Sequence, residues 1–229
     1  MMQDVKETVF GNRMDIGANI IGGVRYDISD ENVAYLKAQL DRLEPAIAEI
    51  IATYRTNGSI LGRTRGIGVL THAQAIDCSV VGPVARASGI DYDVRIKAPY
   101  SAYDRLDVPV HTLTDGDVWS RAMIRLAEAR TAIDLIRQCL ASLPDGPTAC
   151  CSERPPIPAG EAIAKCEAPR GELIYYVRTT DSPRPERVKW RVPSFMNWDA
   201  LRFMLKDAKL ADIAIIVNSI DPCISCTER

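Results

Sequence analysis

Two cysteines near the C-terminus have the spacing of a metal-binding or redox pair. Cys223 and Cys226 are separated by two residues in the segment Asp221-Pro222-Cys223-Ile224-Ser225-Cys226-Thr227-Glu228-Arg229. This spacing can turn both sulfurs toward one centre, and thiolates are soft ligands that suit zinc, iron or nickel. The pair alone leaves three other interpretations open: half of a zinc site, a thioredoxin-like redox pair, or two thiols without a chemical role.

The first two of these alternatives need a feature that the sequence does not offer. A zinc site needs a second pair of ligands, and the only histidines are His72 and His111. A thioredoxin-like pair needs a following helix that lowers the thiol pKa, and only three residues follow Cys226. The spacing alone does not decide between metal binding and these alternatives.

The other five cysteines are spread irregularly along the chain, at 78, 139, 150, 151 and 166. An odd total of seven with irregular spacing argues against a secreted disulfide framework, so a reducing compartment is expected. Cys78 and Cys139 fall in helical patterns and are predicted to be small core residues. Cys150, Cys151 and Cys166 lie in a proline-rich segment, and we assign them no role.

Two long helices and a late hairpin are predicted to position the chemistry. A capped helix begins at Asp27-Ile28-Ser29-Asp30-Glu31, should kink at Pro45 and should end near Asn57-Gly58. A second helix is expected from about Asp117 to Ser142, with an apolar stripe that packs on a helical neighbour. The stretches Glu172 to Thr179 and Arg187 to Val192 have strand composition and indicate a hairpin.

The remaining segments predict shorter elements around these. Residues 1–26 read as an irregular lead-in, 90–116 as a long ordered loop, and 144–169, which hold six prolines, as a loop or linker. Short structures are expected where Thr71 caps a helix over His72 to Val80, at the turn from Gly82 to Gly89, where Asn197 caps a helix through Leu205, and in a buried helix or strand from Leu210 to Ile220. The predicted fold class is therefore mainly α: a helix bundle with a small β-hairpin, in a single domain over residues 1–229.

Composition narrows the function classes. The chain is 47% hydrophobic and 25% charged, as expected for an ordinary globular core. A net charge of −2 and a pI near 5.8 argue against nucleic-acid binding. The stretch from Leu210 to Ile220 is too short for a membrane span, and the first ten residues lack an apolar signal core. We therefore expect an intracellular protein that contacts membranes only through partners.

The wider C-terminal string resembles a known family. D-P-C-x-x-C-x-x-R is similar to the C-terminal signature of nickel–iron hydrogenase large subunits, and the final arginine resembles their energy-converting, complex I-related branch. The resemblance runs collinearly from about Gly22 to Arg229. Upstream segments that are similar to the 49-kDa subunit of complex I are Arg63 to Val69, Gly82 to Gly89, Pro99 to Asp104 and Pro169 to Glu172.

This resemblance implies roles for four residues. Cys223 would be a terminal nickel ligand, and Cys226 a thiolate that bridges nickel to an iron carrying cyanide and carbon monoxide. Asp221 would lie around the centre and orient its ligands. Arg170 matches the arginine held over the open face of the metal pair, where a fixed guanidinium steers the reaction by electrostatics or proton handling. Without the family, Arg170 is more simply a hairpin arginine paired with an acid such as Glu172.

The implied activity is the reversible oxidation of H2 and reduction of protons. Electrons would pass through iron–sulfur clusters of a small subunit, and membrane-arm subunits would couple the reaction to ion pumping. The chain would then be cytoplasmic and peripheral on the inner face of the cell membrane. Two alternatives remain: a quinone-reactive complex I subunit, which in this family has lost the cysteines, and a non-catalytic scaffold for the iron–sulfur small subunit.

The chain departs from the family pattern in one respect. The family builds its metal site from two C-x-x-C pairs, one near each end of the large subunit, and only the C-terminal pair is present here. Cys150-Cys151 cannot replace the missing pair, because adjacent cysteines have the wrong geometry. We therefore expect a C-terminal part of a large subunit without the N-terminal ligand segment, inactive when isolated.

Overall fold

The fold combines helices with two small antiparallel sheets. A computed structural model of the protein describes residues 2–14, 17–150 and 157–228. About 50% of the chain is helical and about 13% is in strands. Helix is the larger share, but the composition is that of a mixed α and β fold. The expectation of a mainly α fold is therefore confirmed only in part.

The elements follow one another along the chain with short connections. The helices are α1 Met2–Phe10, α2 Asp30–Thr56, α3 Gly58–Thr64, α4 His72–Asp77, α5 Gly82–Ala87, α6 Val94–Lys97, α7 Val118–Ala141, α8 Pro193–Trp198, α9 Leu201–Met204, α10 Ile213–Ser219 and α11 Ile224–Thr227. The strands are β1 Asn19–Ile20, β2 Gly23–Val24, β3 Gly160–Ala168, β4 Gly171–Thr179 and β5 Arg187–Arg191. Turns of 3₁₀ helix cover Tyr103–Arg105 and Leu210–Asp212.

The two long helices α2 and α7 are the ones that the sequence predicts. The Ser29 hydroxyl caps α2 and the Asp117 carboxylate caps α7, each accepting from a backbone N–H in the first turn. Helix α2 continues through Pro45 and ends at Thr56, as expected. The helices pack through apolar side chains at helical spacing, which confirms the predicted helical neighbour: Leu40, Ile47, Ile133 and Leu140, with Val33, Leu36, Leu43, Ile51 and Ala129 around them.

The second sheet extends the predicted hairpin by one strand. β4 pairs antiparallel with β5, as the sequence predicts, and also with β3, so that Tyr175 lies opposite both Ala164 and Trp190. The prediction of a loop over residues 144–169 is wrong for this part. The prolines of that segment lie outside Gly160–Ala168, which leaves nine residues with unblocked N–H groups to pair with β4.

Three smaller predictions also need correction. The irregular lead-in holds helix α1, which buries Val5 and Val9. Asn197 is not a helix cap but lies inside α8, whose first residue is Pro193. Cys78 is buried as expected, whereas Cys139 is exposed on α7.

A central apolar cluster joins the short helices behind the C-terminal segment. It brings together α4, α5, the start of α7, α9 and α10 through residues that are almost fully buried: Leu70, Ala75, Val84, Val118, Met204, Ile216 and Ile220. Since α10 is anchored there, the residues after it begin from a fixed point. Among the described residues, none of the helices is both long enough and apolar enough to cross a membrane.

Candidate metal centre at the C-terminal cysteine pair

Arg170 and Asp221, predicted separately from the sequence, are in direct contact. Arg170 lies in the two-residue turn between β3 and β4. Its Nε donates to the backbone oxygen of Asp221 at 2.5 Å, and its Nη2 donates to Asp221 Oδ1 at 3.1 Å. The alternative partner Glu172 binds Tyr92 and Arg191 instead. The structure thus holds the Arg170 guanidinium against the residue two positions before Cys223.

Two glycines let the Arg170 turn approach α5 closely. Gly82 has φ +66° and Gly171 has φ +128°, a backbone region that residues with a Cβ rarely adopt. A Cβ on Gly82 would collide with the backbone oxygen of Arg170, and one on Gly171 would lie 2.6 Å from the Gly82 nitrogen. This contact between two backbones fixes the position of the Arg170 Cα, from which its side chain extends.

Helix α8 holds the segment that carries the cysteines. The Ser194 hydroxyl accepts from the Cys223 backbone N–H at 3.0 Å. The Trp198 indole N–H donates to Thr227 Oγ1 at 2.8 Å, and that hydroxyl donates to the Cys223 carbonyl at 3.0 Å. Both ends of the Cys223–Thr227 turn are therefore fixed by side chains one helical turn apart on α8.

The same helix connects the cysteine segment back to Arg170. Asn197 is fully buried, accepts from the Val81 backbone N–H at 3.0 Å and donates to the Val81 carbonyl at 3.3 Å. Val81 directly precedes Gly82, which abuts the Arg170 turn. The contacts thus close a ring from Cys223 through α8, α5 and Arg170 to Asp221, and the site is built by four separate parts of the chain.

The two thiols differ in their electrostatic surroundings. Cys223 Sγ lies 3.1 Å from the Ser225 hydroxyl. Hydrogen bonds from Ser225 and then Cys226 lower the pKa of Cys223 to about 7. Burial, followed by the neighbouring Cys223 sulfur, raises the pKa of Cys226, while the Arg170 charge lowers the pKa of both. One thiolate is thus favoured near neutral pH. The single turn α11 begins between the two cysteines, at Ile224, and ends at Thr227.

The donors around this pair fit part of a nickel–iron centre. Two half-buried thiols are the right chemical type, because soft thiolates suit both metals. The resemblance calls for four cysteine ligands, however. In the three described ranges, no group of three or more His, Cys, Asp or Glu side chains is placed to hold a metal ion. These residues therefore do not complete the centre by themselves.

Four residues around the site were not predicted. Arg121 and Arg125 of α7 both reach Ser219, through Arg121 Nε to Ser219 Oγ at 2.8 Å and Arg125 Nη1 to the Ser219 carbonyl at 2.7 Å. Ser194 and Trp198 were missed as well. Arginines four residues apart on a helix share a face, but the sequence does not say that this face meets the chain just before Asp221.

A charged cavity of about 360 Å³ adjoins the site. Its walls include Arg86, Arg125, Glu128, Glu167 and Asp221. Arg86 is 1% exposed and pairs with Glu128 at 2.8 Å and Glu167 at 3.0 Å. Through these ion pairs Arg86 joins α5 to α7 and β3.

The other cysteines lie apart from this site or outside the described residues. Cys166 is half-buried on β3, and burial raises its pKa. The Cys150 backbone N–H donates to the Gly22 carbonyl at 2.9 Å. Cys151 and Arg229, the latter being the last position of the terminal motif, fall outside the described residues.

The whole sequence matches one protein family. Residues 1–155 and 149–229 match the family described as the 49 kDa subunit of respiratory-chain NADH dehydrogenase. The chain is 62% identical over 230 residues to a carbon monoxide-induced hydrogenase of Rhodospirillum rubrum, covering 100% of this chain and 63% of the relative.

Two further relatives are named as NADH-quinone oxidoreductase subunits. The chain is 34% identical over 256 residues to the one from Sinorhizobium medicae, covering 100% of this chain and 63% of the relative. It is 37% identical over 222 residues to the one from Dehalococcoides mccartyi, covering 96% of this chain and 60% of the relative. The chain thus spans less than two thirds of the length of these relatives.

Proposed function

Because the chain belongs to the family of the 49 kDa subunit of respiratory-chain NADH dehydrogenase, we propose that it is the C-terminal part of a nickel–iron hydrogenase large subunit. Its substrates are H2 and protons, interconverted in a complex that pumps ions across a membrane. The helix bundle of the hydrogenase large subunits and the 49-kDa subunits is the architecture that we propose it shares. A relative that is 62% identical is named as a hydrogenase, which supports the activity.

One observation carries the proposal: Arg170, Asp221 and the cysteine pair converge. A ring of contacts brings Arg170 onto Asp221, and Asp221 lies two residues before Cys223. Such a fixed cation beside soft donors suits a reaction in which charge develops near a metal, because a preorganised charge needs no reorganisation during the reaction. An arginine that served only the hairpin would need no contact with the cysteine segment.

The cofactor in this proposal is a nickel–iron centre with cyanide and carbon monoxide ligands, of which Cys223 and Cys226 hold one side. Two further cysteines complete the ligand set from outside this sequence, and the centre supplies the chemistry of hydrogen splitting. The role of this chain is to hold Arg170 and Asp221 beside the centre. The iron–sulfur small subunit receives the electrons, and the membrane-arm subunits anchor the complex at the inner face of the cell membrane.

A second candidate is supported by the relatives named as NADH-quinone oxidoreductase subunits, which are 34% and 37% identical. In this interpretation the chain belongs to a quinone-reactive subunit that has no nickel. The retained Cys223-x-x-Cys226 pair, built into the ring of contacts, favours the hydrogenase. A non-catalytic scaffold for the small subunit would need neither the pair nor the Arg170–Asp221 contact.

The test replaces each thiol in the assembled complex. Cys223→Ser and Cys226→Ser should each lower H2-dependent dye reduction below detection and reduce the nickel content, since a serine oxygen is a harder ligand than the centre prefers. Nickel is measured by elemental analysis on the same samples. The matched control is Cys139→Ser, which removes an exposed thiol of α7 and should leave both readings unchanged.

Two outcomes would contradict the proposal. Near-native turnover and nickel content in either variant would remove the pair from the ligand set. A wild-type complex that reduces quinone but contains no nickel would establish the second candidate. The chain purified alone should bind nickel weakly and take up no H2, because two thiols leave the metal's coordination incomplete. Stoichiometric nickel on that chain would show that it needs no further ligands.

A further inference from the structure

One edge of the Arg125 guanidinium, formed by Nε and Nη2, is buried and has no hydrogen-bond partner among the described residues. Arg125 Nη1 donates to the carbonyls of Arg121 at 3.1 Å and Ser219 at 2.7 Å. Its Nε and Nη2 are fully buried, and neither has a hydrogen-bond partner within the described part of the chain. These two nitrogens form the edge that binds a carboxylate through two parallel bonds. A buried donor without an acceptor destabilises the fold, so an acceptor is expected for this edge.

Asp221 is the carboxylate best placed to meet the Nε/Nη2 edge. Arg125 and Asp221 together line two cavities, of about 370 and 360 Å³. Burial lowers the pKa of Arg125, and the strongest attraction that opposes this is the charge of Asp221. The next strongest, Glu128, is already bound to Arg86 at 2.8 Å. Asp221 also has an arginine partner, through Oδ1 to Arg170, but it lines both cavities beside Arg125, whereas Glu128 lines only one of them.

Asp221 can change its partner without releasing Arg170 altogether. Its carbonyl accepts from Arg170 Nε, and only its side-chain Oδ1 accepts from Arg170 Nη2. The side chain is 43% exposed, which leaves room for rotation about Cα–Cβ. Its backbone is held by the N–H bond to the Asn218 carbonyl at 2.9 Å. Rotation would therefore move the carboxylate but not the chain that leads into Cys223.

We propose that the Asp221 carboxylate is shared between Arg170 and Arg125, and that Arg125 is a positioning residue of the candidate site. With the carboxylate on Arg125, Arg170 keeps one bond to the Asp221 carbonyl and its Nη2 becomes available at the cysteine pair. With the carboxylate on Arg170, both donors of that edge are occupied. Arg125 thus sets how much of the Arg170 guanidinium faces the centre. Only this consequence for the reaction rests on the proposed function, and the sharing itself does not.

A diffusible anion is a poorer partner for the same edge. Because Nε and Nη2 are fully buried, an anion from solution would have to displace side chains before it could touch them. The Asp221 carboxylate is instead held next to this edge by the chain itself, because Asp221 lines both cavities together with Arg125.

The test is a double-mutant cycle in the full chain without metal. Arg125→Gln, Asp221→Asn and the double variant are unfolded in urea, first in the wild-type background and then with Arg170→Gln. If the two arginines compete for one carboxylate, removing Arg170 should strengthen the coupling between Arg125 and Asp221 by about 5-fold or more in equilibrium constant. Arg130→Gln, an exposed arginine of the same helix, is the matched control and should show no coupling in either background.

The result that would overturn the proposal is a coupling that does not change when Arg170 is removed. Arg125 would then only hold Ser219, since a purely structural role does not respond to Arg170. If Arg125→Gln does not unfold cooperatively, Arg125→Lys replaces it in the cycle: the charge stays but the two-donor edge is lost, so the coupling measured with it should still strengthen when Arg170 is removed.

A second measurement covers the case in which neither variant is usable. A crystal structure of the Arg170→Gln chain should show Asp221 within hydrogen-bond distance of Arg125 Nε or Nη2, and an unmoved Asp221 would overturn the proposal. These experiments contain no metal, so they stand whether or not the complex proves to be a hydrogenase. Conversely, a complex without nickel would refute the proposed function and leave the sharing of Asp221 intact.

Discussion

Arg86 and Arg125 line the same cavity, yet their surroundings differ. Arg86 is buried among three carboxylates, those of Glu128, Glu167 and Asp93, and its Nη1 also donates to the Tyr92 carbonyl. Arg125 is half-buried and bonds to two backbone carbonyls, and across the described ranges it has no carboxylate within ion-pair distance. The charge of Arg86 is thus neutralised by adjacent carboxylates, whereas the charge of Arg125 is not.

From this difference we infer that Arg86 stabilises the fold and that Arg125 acts at the candidate site. Although burial lowers the pKa of Arg86, the charges of Glu128, Glu167 and Asp93 outweigh it and raise the pKa overall. For Arg125, burial outweighs the nearby acids and lowers the pKa. A fully matched cation joins α5, α7 and β3 and has no capacity left for chemistry. A cation with a spare edge beside Asp221 can respond to a change at the cysteine pair.

The sharpest test of this contrast is to remove each charge in turn. Arg86→Met leaves the buried Glu128 and Glu167 without their cation, and breaking such a pair costs about 3–5 kcal/mol. Arg125→Met strands no bound carboxylate, so its cost should be clearly smaller. Urea unfolding of both variants, with Arg130→Met as the exposed control on α7, measures the free energies. Equal losses of unfolding free energy in Arg86→Met and Arg125→Met would contradict the proposed difference between the two arginines.

The pH dependence of the Arg86 variant gives a second check. Burial already raises the pKa of Glu167, and the Arg86 charge partly offsets this, so removing Arg86 should raise that pKa further. A raised pKa in the folded state means stability that is present at low pH and lost as the carboxyl ionises. The penalty of Arg86→Met should therefore grow as the pH rises above about 4.5. A penalty that shrinks with rising pH would contradict this account.

The second prediction concerns Arg170, which like Arg125 lies at the candidate site. Arg170→Lys in the assembled complex should lower hydrogen turnover per bound nickel by about 100-fold, because a lysine lacks the planar edge that meets Asp221. That corresponds to about 2.7 kcal/mol of transition-state stabilisation. The side chain is 30% exposed, so the unfolding free energy should fall by at most about 1 kcal/mol.

The measurements are turnover normalised to nickel and thermal unfolding of the same preparation. A normal normalised rate together with a lowered melting temperature would place Arg170 with Arg86 among the structural arginines. Arg178→Lys is the matched control. Arg178 lies on β4, is 51% exposed and pairs with Glu186 at 3.0 Å, so neither quantity should change.

The predictable parts of the fold are those whose signals are local. The caps at Ser29 and Asp117 and the apolar periods after them lie within one helix each, so α2 and α7 were predicted almost to their ends. Strand β3 was missed because the prolines around it dominate the segment's composition, while its pairing with β4 is a property of two strands together. Composition over a window cannot show which residues within it are free to pair.

The site divides in the same way. The cysteines and Arg170 carry signals in their own neighbourhoods, and the structure brings them to one place. The partner of Arg170 was not predictable, because Asp221 is 51 residues away, whereas the nearby acid Glu172 turns to Tyr92 and Arg191. Arg125 was overlooked for a related reason. Arginines on a helix usually mark its solvated face, and only the position of α10 shows that this one meets Ser219.

The smallest predicted change in unfolding free energy is at Tyr92, which has a structural role. Its hydroxyl donates to Glu172 Oε2 at 2.6 Å, and Glu172 keeps Arg191 as a second partner at 2.8 Å. Tyr92→Phe should therefore lower the unfolding free energy by only about 1 kcal/mol, since no charge is left unpaired.

The pH dependence of Tyr92→Phe tests whether the buried, hydrogen-bonded hydroxyl of Tyr92 stabilises the fold. Burial, followed by the hydrogen bond to Glu172, raises the pKa of Tyr92 to about 12. A raised pKa contributes stability that is fully present below about pH 10, the tyrosine value in an unfolded chain, and is lost as the pH approaches 12. Tyr92→Phe should thus be less stable than wild type at pH 8, and the gap should close between pH 10 and 12.

Tyr175→Phe, a 44% exposed ring on β4, is the control and should show no such closing. A gap that stays constant up to pH 12 would mean that the loss comes from packing, and the Tyr92–Glu172 bond would then contribute nothing to the structural side of the contrast.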